Sequence, residues 1–167
     1  MLGDLLLERG AIKKGNFVLS SGKTSDYYAD LKEFCTDVSN LRIIVDRFSE
    51  EVKCDAVAGV ELGAVPLVVG VALKLGLPYT IIRKERSHGN TSLIIGENIS
   101  GKNVAILEDV VTTGGSVLKA VSLLREKGAI VTDVYCVLDR EDGGSDALEH
   151  AGVKLHPLLR ISEVFRK

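Results

Sequence analysis

The strongest constraint on the fold is a set of short, uniformly apolar runs separated by amphipathic stretches. Residues 55–60 read Asp-Ala-Val-Ala-Gly-Val and residues 103–107 read Asn-Val-Ala-Ile-Leu, with no polar alternation. A strand with one wet face alternates, whereas unbroken Val/Ile/Leu runs belong to parallel strands covered on both faces. Residues 78–83 and 132–138 read as further strands. Between them, residues 40–52 place Leu41, Ile44, Val45, Phe48 and Val52 on one helical face, opposite Asp46, Arg47, Glu50 and Glu51. Pro66 suits a first helical position, and residues 67–75 are apolar nearly all round until Gly76, which predicts a buried helix. Val117, Ala120, Val121 and Leu124 mark another amphipathic helix, stopped by Gly128. Strands alternating with helices in this way predict an α/β fold: a doubly wound, mostly parallel sheet flanked by helices.

The 167 residues fit one domain, 46% of them hydrophobic and 26% charged. Aromatic residues make up only 5% and Trp is absent, so the core has to be aliphatic. The net charge of -2 lacks the basic excess of a general nucleic-acid binder, and no nucleic-acid partner is expected. Cys35, Cys54 and Cys136 form no C-x-x-C pair and are odd in number, as expected for free thiols in a reducing cytoplasm. The start of the chain does not read as a signal peptide, and no apolar stretch approaches the roughly 18 residues that span a bilayer. A cytoplasmic protein with no membrane partner is expected.

The sharpest motif is Ile106-Leu-Glu-Asp-Val-Val-Thr-Thr-Gly-Gly-Ser116. Thr-Thr-Gly-Gly-Ser alone would be an ordinary turn, and an acid pair alone a solvated strand end. Here both follow a buried strand and precede a helix, and open α/β sheets bind ligands beyond the carboxyl ends of their strands. Gly114 and Gly115 permit close backbone approach, while Thr112, Thr113, Ser116 and the helix start supply donors for a phosphate monoester. Glu108 and Asp109 are placed to accept hydrogen bonds from a vicinal diol. Gly22-Lys-Thr24 looks like the end of a Walker A loop, but Phe17 stands where that loop needs glycine. G-x-G-x-x-G after a strand, H-E-x-x-H and G-x-S-x-G are all absent. Residues 84–96 fit no regular element, and an unstructured loop of that length is usually functional or disordered, with function the favoured reading here.

The segment 106–116 resembles the phosphoribosyl pyrophosphate signature of type I phosphoribosyltransferases. Three other segments resemble the orotate phosphoribosyltransferases in particular. One is the run Phe17-Val-Leu-Ser-Ser-Gly-Lys-Thr-Ser-Asp-Tyr-Tyr-Ala-Asp30, which matches their hood. Another is Ile82-Arg-Lys-Glu85, like the start of their mobile catalytic loop, and the last is Asp139-Arg-Glu141, like their orotate-gripping motif. The similarity spans nearly the whole chain with these motifs in the expected order. It implies a hood built mainly from residues 1–38 and the C-terminal segment.

The resemblance also implies roles. Glu108 and Asp109 hold the ribose hydroxyls, Thr112, Thr113, Gly114, Gly115 and Ser116 hold the 5-phosphate, and Val110 and Val111 also belong to the substrate-binding segment. The backbone of Glu61, Leu62, Gly63 and Ala64 approaches the pyrophosphate. Lys23, Tyr27, Tyr28 and Arg140 meet substrate, Arg140 through a planar fork suited to orotate's carboxylate or carbonyls. Catalysis falls to Arg83, Lys84, Arg86, His88 and Asp109. Enzymes commonly lower barriers by about 8–23 kcal/mol, far beyond the roughly 2 kcal/mol of a helix terminus, so Mg²⁺ held mainly through substrate and a closing cationic loop are expected to stabilise the departing pyrophosphate. The family's loop reaches a neighbouring subunit's site, which implies a homodimer with shared sites. The chain departs from many bacterial members, which carry lysine where Ser20 and Gly63 stand and another near Arg86; its first signature acid is Glu108 rather than Asp, as in archaeal members. Two alternatives stand beside orotate transfer. A phosphoribosyltransferase for another base leaves the hood and Arg140 without purpose. A non-catalytic regulator binding phosphoribosyl pyrophosphate should lose the loop cations or gain a basic face.

Overall fold

The computed structural model describes residues 1–18, 22, 24–84 and 92–165. In chain order its elements are α1 (Leu2–Glu8), β1 (Ile12–Val18), β2 (Thr24–Ala29), α2 (Val38–Glu51), β3 (Ala56–Val60), α3 (Val65–Leu75), β4 (Tyr79–Ile82) and β5 (Ile94–Gly96). They continue with β6 (Val104–Val111), α4 (Gly115–Glu126), β7 (Asp133–Asp139), α5 (Gly144–His150), β8 (Lys154–Arg160) and α6 (Ile161–Val164). A six-stranded sheet runs β5-β4-β3-β6-β7-β8, and β1 pairs with β2 as a separate antiparallel hairpin. All neighbours in the larger sheet are parallel except β4 and β5. The doubly wound, mostly parallel expectation therefore holds.

The apolar runs behave as their composition requires. β3 is buried at every position, and β6 is buried from Val104 to Glu108. The sheet divides the core into two apolar layers. One joins Ile44, Phe48, Leu67 and Val71 of α2 and α3 to Val57, Leu107 and Val137, and it also receives Leu6, Ile12 and Leu31 from the N-terminal elements. The other joins Val117, Val121 and Leu124 of α4 to Ile106, Val134 and Leu148. All three cysteines are free, with Cys35 and Cys136 buried and Cys54 half-buried.

Helix boundaries follow local chemistry. The Asp37 carboxylate caps α2 by accepting from Ser39 N–H at 2.8 Å and Asn40 N–H at 3.2 Å. Pro66 lies in the first turn of α3, and Gly76 ends that helix at φ 67°, where a side chain would be strained. The uniform burial expected for α3 needs correction. Leu67, Val68, Val71 and Ala72 are buried, but Leu73 is 80% exposed and Leu75 lies on the surface. In a single chain one layer covers one side of this helix, and its remaining apolar face stays open. The segment 84–96 also contains the short strand β5, which its few polar neighbours concealed; β5 is held by antiparallel pairing to β4.

Gly59 sets how closely α3 sits on the sheet. A Cβ at that position would lie 2.6 Å from Val68 Cγ2, 2.7 Å from Ala64 Cβ and 2.9 Å from the Leu107 carbonyl oxygen. Gly59→Ala should destabilise the protein by about 1–3 kcal/mol, the usual cost of overpacking a tight core. Thermal or urea denaturation checks this, and an unchanged midpoint would show that the β3–α3 gap can widen freely.

Candidate active site

Strand order locates the site. The chain leaves β3 toward β4 on one side and leaves β6 toward β7 on the other, although β3 and β6 are neighbours. Loops that diverge from adjacent strands leave a crevice at their carboxyl ends, the usual ligand site of such sheets. Here the crevice lies between residues 61–64 and residues 108–116. A cavity of about 270 Å³ opens there, lined in part by Glu61, Gly63, Lys84, Glu108, Asp109 and Ser116. A larger cavity of about 640 Å³ shares Lys84 and Ser116 and continues along α4.

The acid pair occupies the second half of β6, so the strand runs further into the motif than its apolar composition suggested. Glu108 is 6% exposed, and its carboxylate accepts the Asp109 N–H at 3.0 Å. Burial first, and the adjacent Asp109 second, push the Glu108 carboxyl well above its ordinary range. Asp109 Oδ1 accepts the Val110 N–H at 2.9 Å. An ideal Cβ on Gly63 would land on the Asp109 carboxylate, so only glycine lets these two strand ends approach.

The phosphate-type loop is short and exposed. Thr112, Thr113, Gly115 and Ser116 face solvent, while Gly114 is buried at φ 80° and caps α4. Gly144 lies beneath the loop. A Cβ there would meet the Thr112 carbonyl and come within 2.6 Å of Val111 Cγ1 and 3.2 Å of Gly114 N. The free N–H groups of the α4 first turn and the three hydroxyls thus stand together at the rim, suited to an anion.

Across the crevice, the 61–64 backbone leads into α3, and the Glu61–Leu62 peptide is cis. Glu61 is tied twice to the chain after β4. Its N–H donates to the Ile82 carbonyl at 2.9 Å, and its carboxylate accepts the Lys84 N–H at 2.8 Å. Arg83 is half-buried and Lys84 exposed, both at the base of the segment read as a mobile loop. Arg86 and His88 of that segment, and Lys23 of the hood, lie outside the described residues.

Arg140 joins the site through β7. Its N–H donates to the Val111 carbonyl at 2.9 Å, which sets the guanidinium beside the motif. Nε donates to the Tyr27 hydroxyl at 3.1 Å and lies 3.3 Å from Asp142, with the guanidinium 4.8 Å from the Tyr27 ring centre. Its side chain is only 10% exposed, so it is positioned rather than solvated. Burial raises the Tyr27 phenol above its ordinary value, with Arg140 opposing. Tyr27 and Tyr28 are successive residues of β2 and meet different partners. Tyr27 packs on Phe165 and Arg140, whereas Tyr28 packs on Phe17 and hydrogen-bonds Asp30.

Two contributors were not anticipated. Lys32 lines the smaller cavity, but nothing in its sequence surroundings separates it from a surface lysine. Asp139, 2% exposed, accepts the Glu141 N–H at 2.9 Å and shapes the turn that presents Arg140. Burial is the main cause raising its carboxyl, and the local signal was its place directly before Arg140.

Comparison with known proteins agrees with this geometry. Residues 37–154 match the family described as the phosphoribosyl transferase domain. Orotate phosphoribosyltransferase of Thermoplasma volcanium is 55% identical over 99% of this chain and 100% of its own length. The crystal structure of orotate phosphoribosyltransferase from Aeropyrum pernix superposes with a TM-score of 0.88 at 34% identity, covering 98% of this chain and 96% of that one. The Mycobacterium tuberculosis orotate phosphoribosyltransferase in complex with 5-phospho-α-D-ribosyl 1-diphosphate gives a TM-score of 0.80 at 27% identity, covering 98% and 96%. The crevice at the β3/β6 switch point is thus built on a type I phosphoribosyltransferase fold, and the chain belongs to the phosphoribosyltransferase family, within its orotate phosphoribosyltransferases.

Proposed function

We propose that this protein transfers the ribose 5-phosphate unit of phosphoribosyl pyrophosphate to orotate, giving orotidine 5'-monophosphate and pyrophosphate on the way to UMP. The observation that carries the reading is the juxtaposition of a diol-binding acid pair with a phosphate cup, and of both with a nearly buried arginine. The 5-phosphate sits on residues 112–116, where the α4 N-terminus and hydroxyls donate to it. Asp109 and Glu108 accept the ribose hydroxyls, which fixes C1 near the mouth of the crevice. The pyrophosphate lies against the 61–64 backbone. Arg140, held through Nε, presents the rest of its fork to the orotate carboxylate or carbonyls.

Nucleophilic attack by a ring nitrogen of orotate on C1 breaks the bond to pyrophosphate. Positive character grows on the ribose while negative charge grows on the leaving group. Arg83 and Lys84 stand on the leaving-group side, and Arg86 and His88 belong to the same segment of sequence. The hydrogen bond from Lys84 N–H to Glu61 couples that segment to the pyrophosphate loop. Mg²⁺, when bound, would neutralise diphosphate charge. Such an ion would be carried mainly by the substrate's own oxygens.

A homodimer with shared sites fits the open apolar surface: Leu62 and Leu73 are 70% and 80% exposed on and beside α3, and Ile95 is exposed on the edge strand. A cytoplasmic location fits the free thiols, and no helix among the described residues is long and apolar enough to cross a membrane.

The first test follows orotate absorbance with phosphoribosyl pyrophosphate and Mg²⁺, with purine bases assayed in parallel; consumption of a purine but not orotate would overturn the reading. Asp109→Asn removes a charged acceptor for the diol and should lower kcat/KM by about ten- to a hundredfold. Arg140→Ala should raise KM for orotate more than KM for phosphoribosyl pyrophosphate, and Arg140→Lys should restore little because the planar fork is lost.

Glu108 generates a pH prediction for the unliganded protein. Its carboxyl is raised above 4.5, so between that value and its native pKa the folded state holds a proton that the unfolded chain has released. The stability associated with this proton is complete below the unfolded value and is lost as pH rises through the folded one. Glu108→Gln should therefore gain melting temperature relative to wild type as pH rises, with little gain in acid. A gain confined to acid pH would contradict the burial argument.

A further inference from the structure

Lys32 is held over the crevice by an unusual tether. Leu31, fully buried, fixes the backbone beside it. Asp30 Oδ1 then accepts both the Lys32 N–H at 2.9 Å and the Lys32 ammonium at 3.0 Å, while the Tyr28 hydroxyl donates to Oδ2 at 3.3 Å. The lysine side chain is 51% exposed, and ion pairs this open contribute little to stability. Its position is more informative. Among the described residues that line the cavity between residues 61–63 and the acid pair, Lys32 and Lys84 are the cations, against the carboxyls of Glu61, Glu108 and Asp109.

Such a floor repels a diphosphate unless cations face it. Gly63 offers no side chain, because the Asp109 carboxylate fills its Cβ position. Lys84 lines the same cavity and donates its backbone N–H to Glu61. The hydrogen bond that the Lys32 ammonium donates to Asp30, with the Asp109 charge adding, raises its pKa and keeps it charged at neutral pH.

We propose that Lys32 is a substrate-binding residue whose ammonium turns from Asp30 to the diphosphate of phosphoribosyl pyrophosphate. The proposal rests on the reading that this substrate occupies the switch-point crevice. A point charge on a flexible stem suits a phosphate approached from one side. The Asp30 tether limits the rotamers left to lose on binding, which lowers the entropic cost.

The test compares Lys32→Ala and Lys32→Arg with wild type in steady-state kinetics and in calorimetric titration with phosphoribosyl pyrophosphate and with pyrophosphate. Lys32→Ala should raise KM for phosphoribosyl pyrophosphate and Kd for pyrophosphate by about ten- to a hundredfold, the range for a lost hydrogen bond to a charged group. KM for orotate and the melting temperature should stay close to wild type, and Lys32→Arg should recover most of the affinity. Unchanged phosphoribosyl pyrophosphate affinity in Lys32→Ala would overturn the assignment, as would an equal rise in both KM values or a fall in melting temperature that accounts for the loss. If wild-type protein binds phosphoribosyl pyrophosphate without consuming orotate, the proposed reaction fails while the calorimetry still decides the role of Lys32.

Discussion

The close approach of β3 and β6 at their carboxyl ends underlies everything else in the site. Gly59 lets α3 sit tight on the sheet, and Gly63 lets the following backbone pass directly under Asp109. Because the chain departs from these two neighbours in opposite directions, the gap between their loops cannot be filled by a connection. Parallel pairing holds the register, setting Gly59 beside Leu107, one residue before the acid pair. A side chain larger than hydrogen at Gly63 would displace Asp109, and the acid pair would then lose its fixed relation to the pyrophosphate loop.

The electrostatic design follows from that crowding. Two carboxyls in succession on a buried strand cannot both be ionised cheaply, and burial makes Glu108 the one that retains its proton more readily. A neutral acid beside a second carboxyl suits a diol, but an acidic floor is poor ground for a polyanion. The positive groups stand at the rim: backbone N–H groups of the α4 first turn, Lys84 at the base of its segment, and Lys32 on its Asp30 tether. Arg140 stands apart from this group, locked against Tyr27 and Asp142.

Much of this architecture was legible before the coordinates. Unalternated apolar runs specify parallel strands because both faces are covered, and β3, β6 and β7 appear where those runs lie. The acid pair followed by Thr-Thr-Gly-Gly-Ser pointed to the end of β6, where a cavity opens beside Glu108, Asp109 and Ser116. Less was legible where a segment's state depends on partners remote in sequence. β5 is only Ile94–Gly96, stabilised by its ladder to β4 rather than by any pattern of its own. The composition of α3 suggested full burial, yet one face meets no neighbour within the chain, and hydropathy alone cannot distinguish a core face from an open one.

By itself the sequence determined the fold class and the succession of acid pair, hydroxyls and glycines between β6 and α4, because these depend on local composition and on residues adjacent in the chain. The tertiary structure alone decided which strands became neighbours, and hence that Gly63 meets Asp109, that Tyr27 holds Arg140, and that Lys32 faces the acid pair. Those contacts join residues separated by dozens of positions or more. Their geometry comes from the packing of the sheet and its crossovers, which no local pattern encodes.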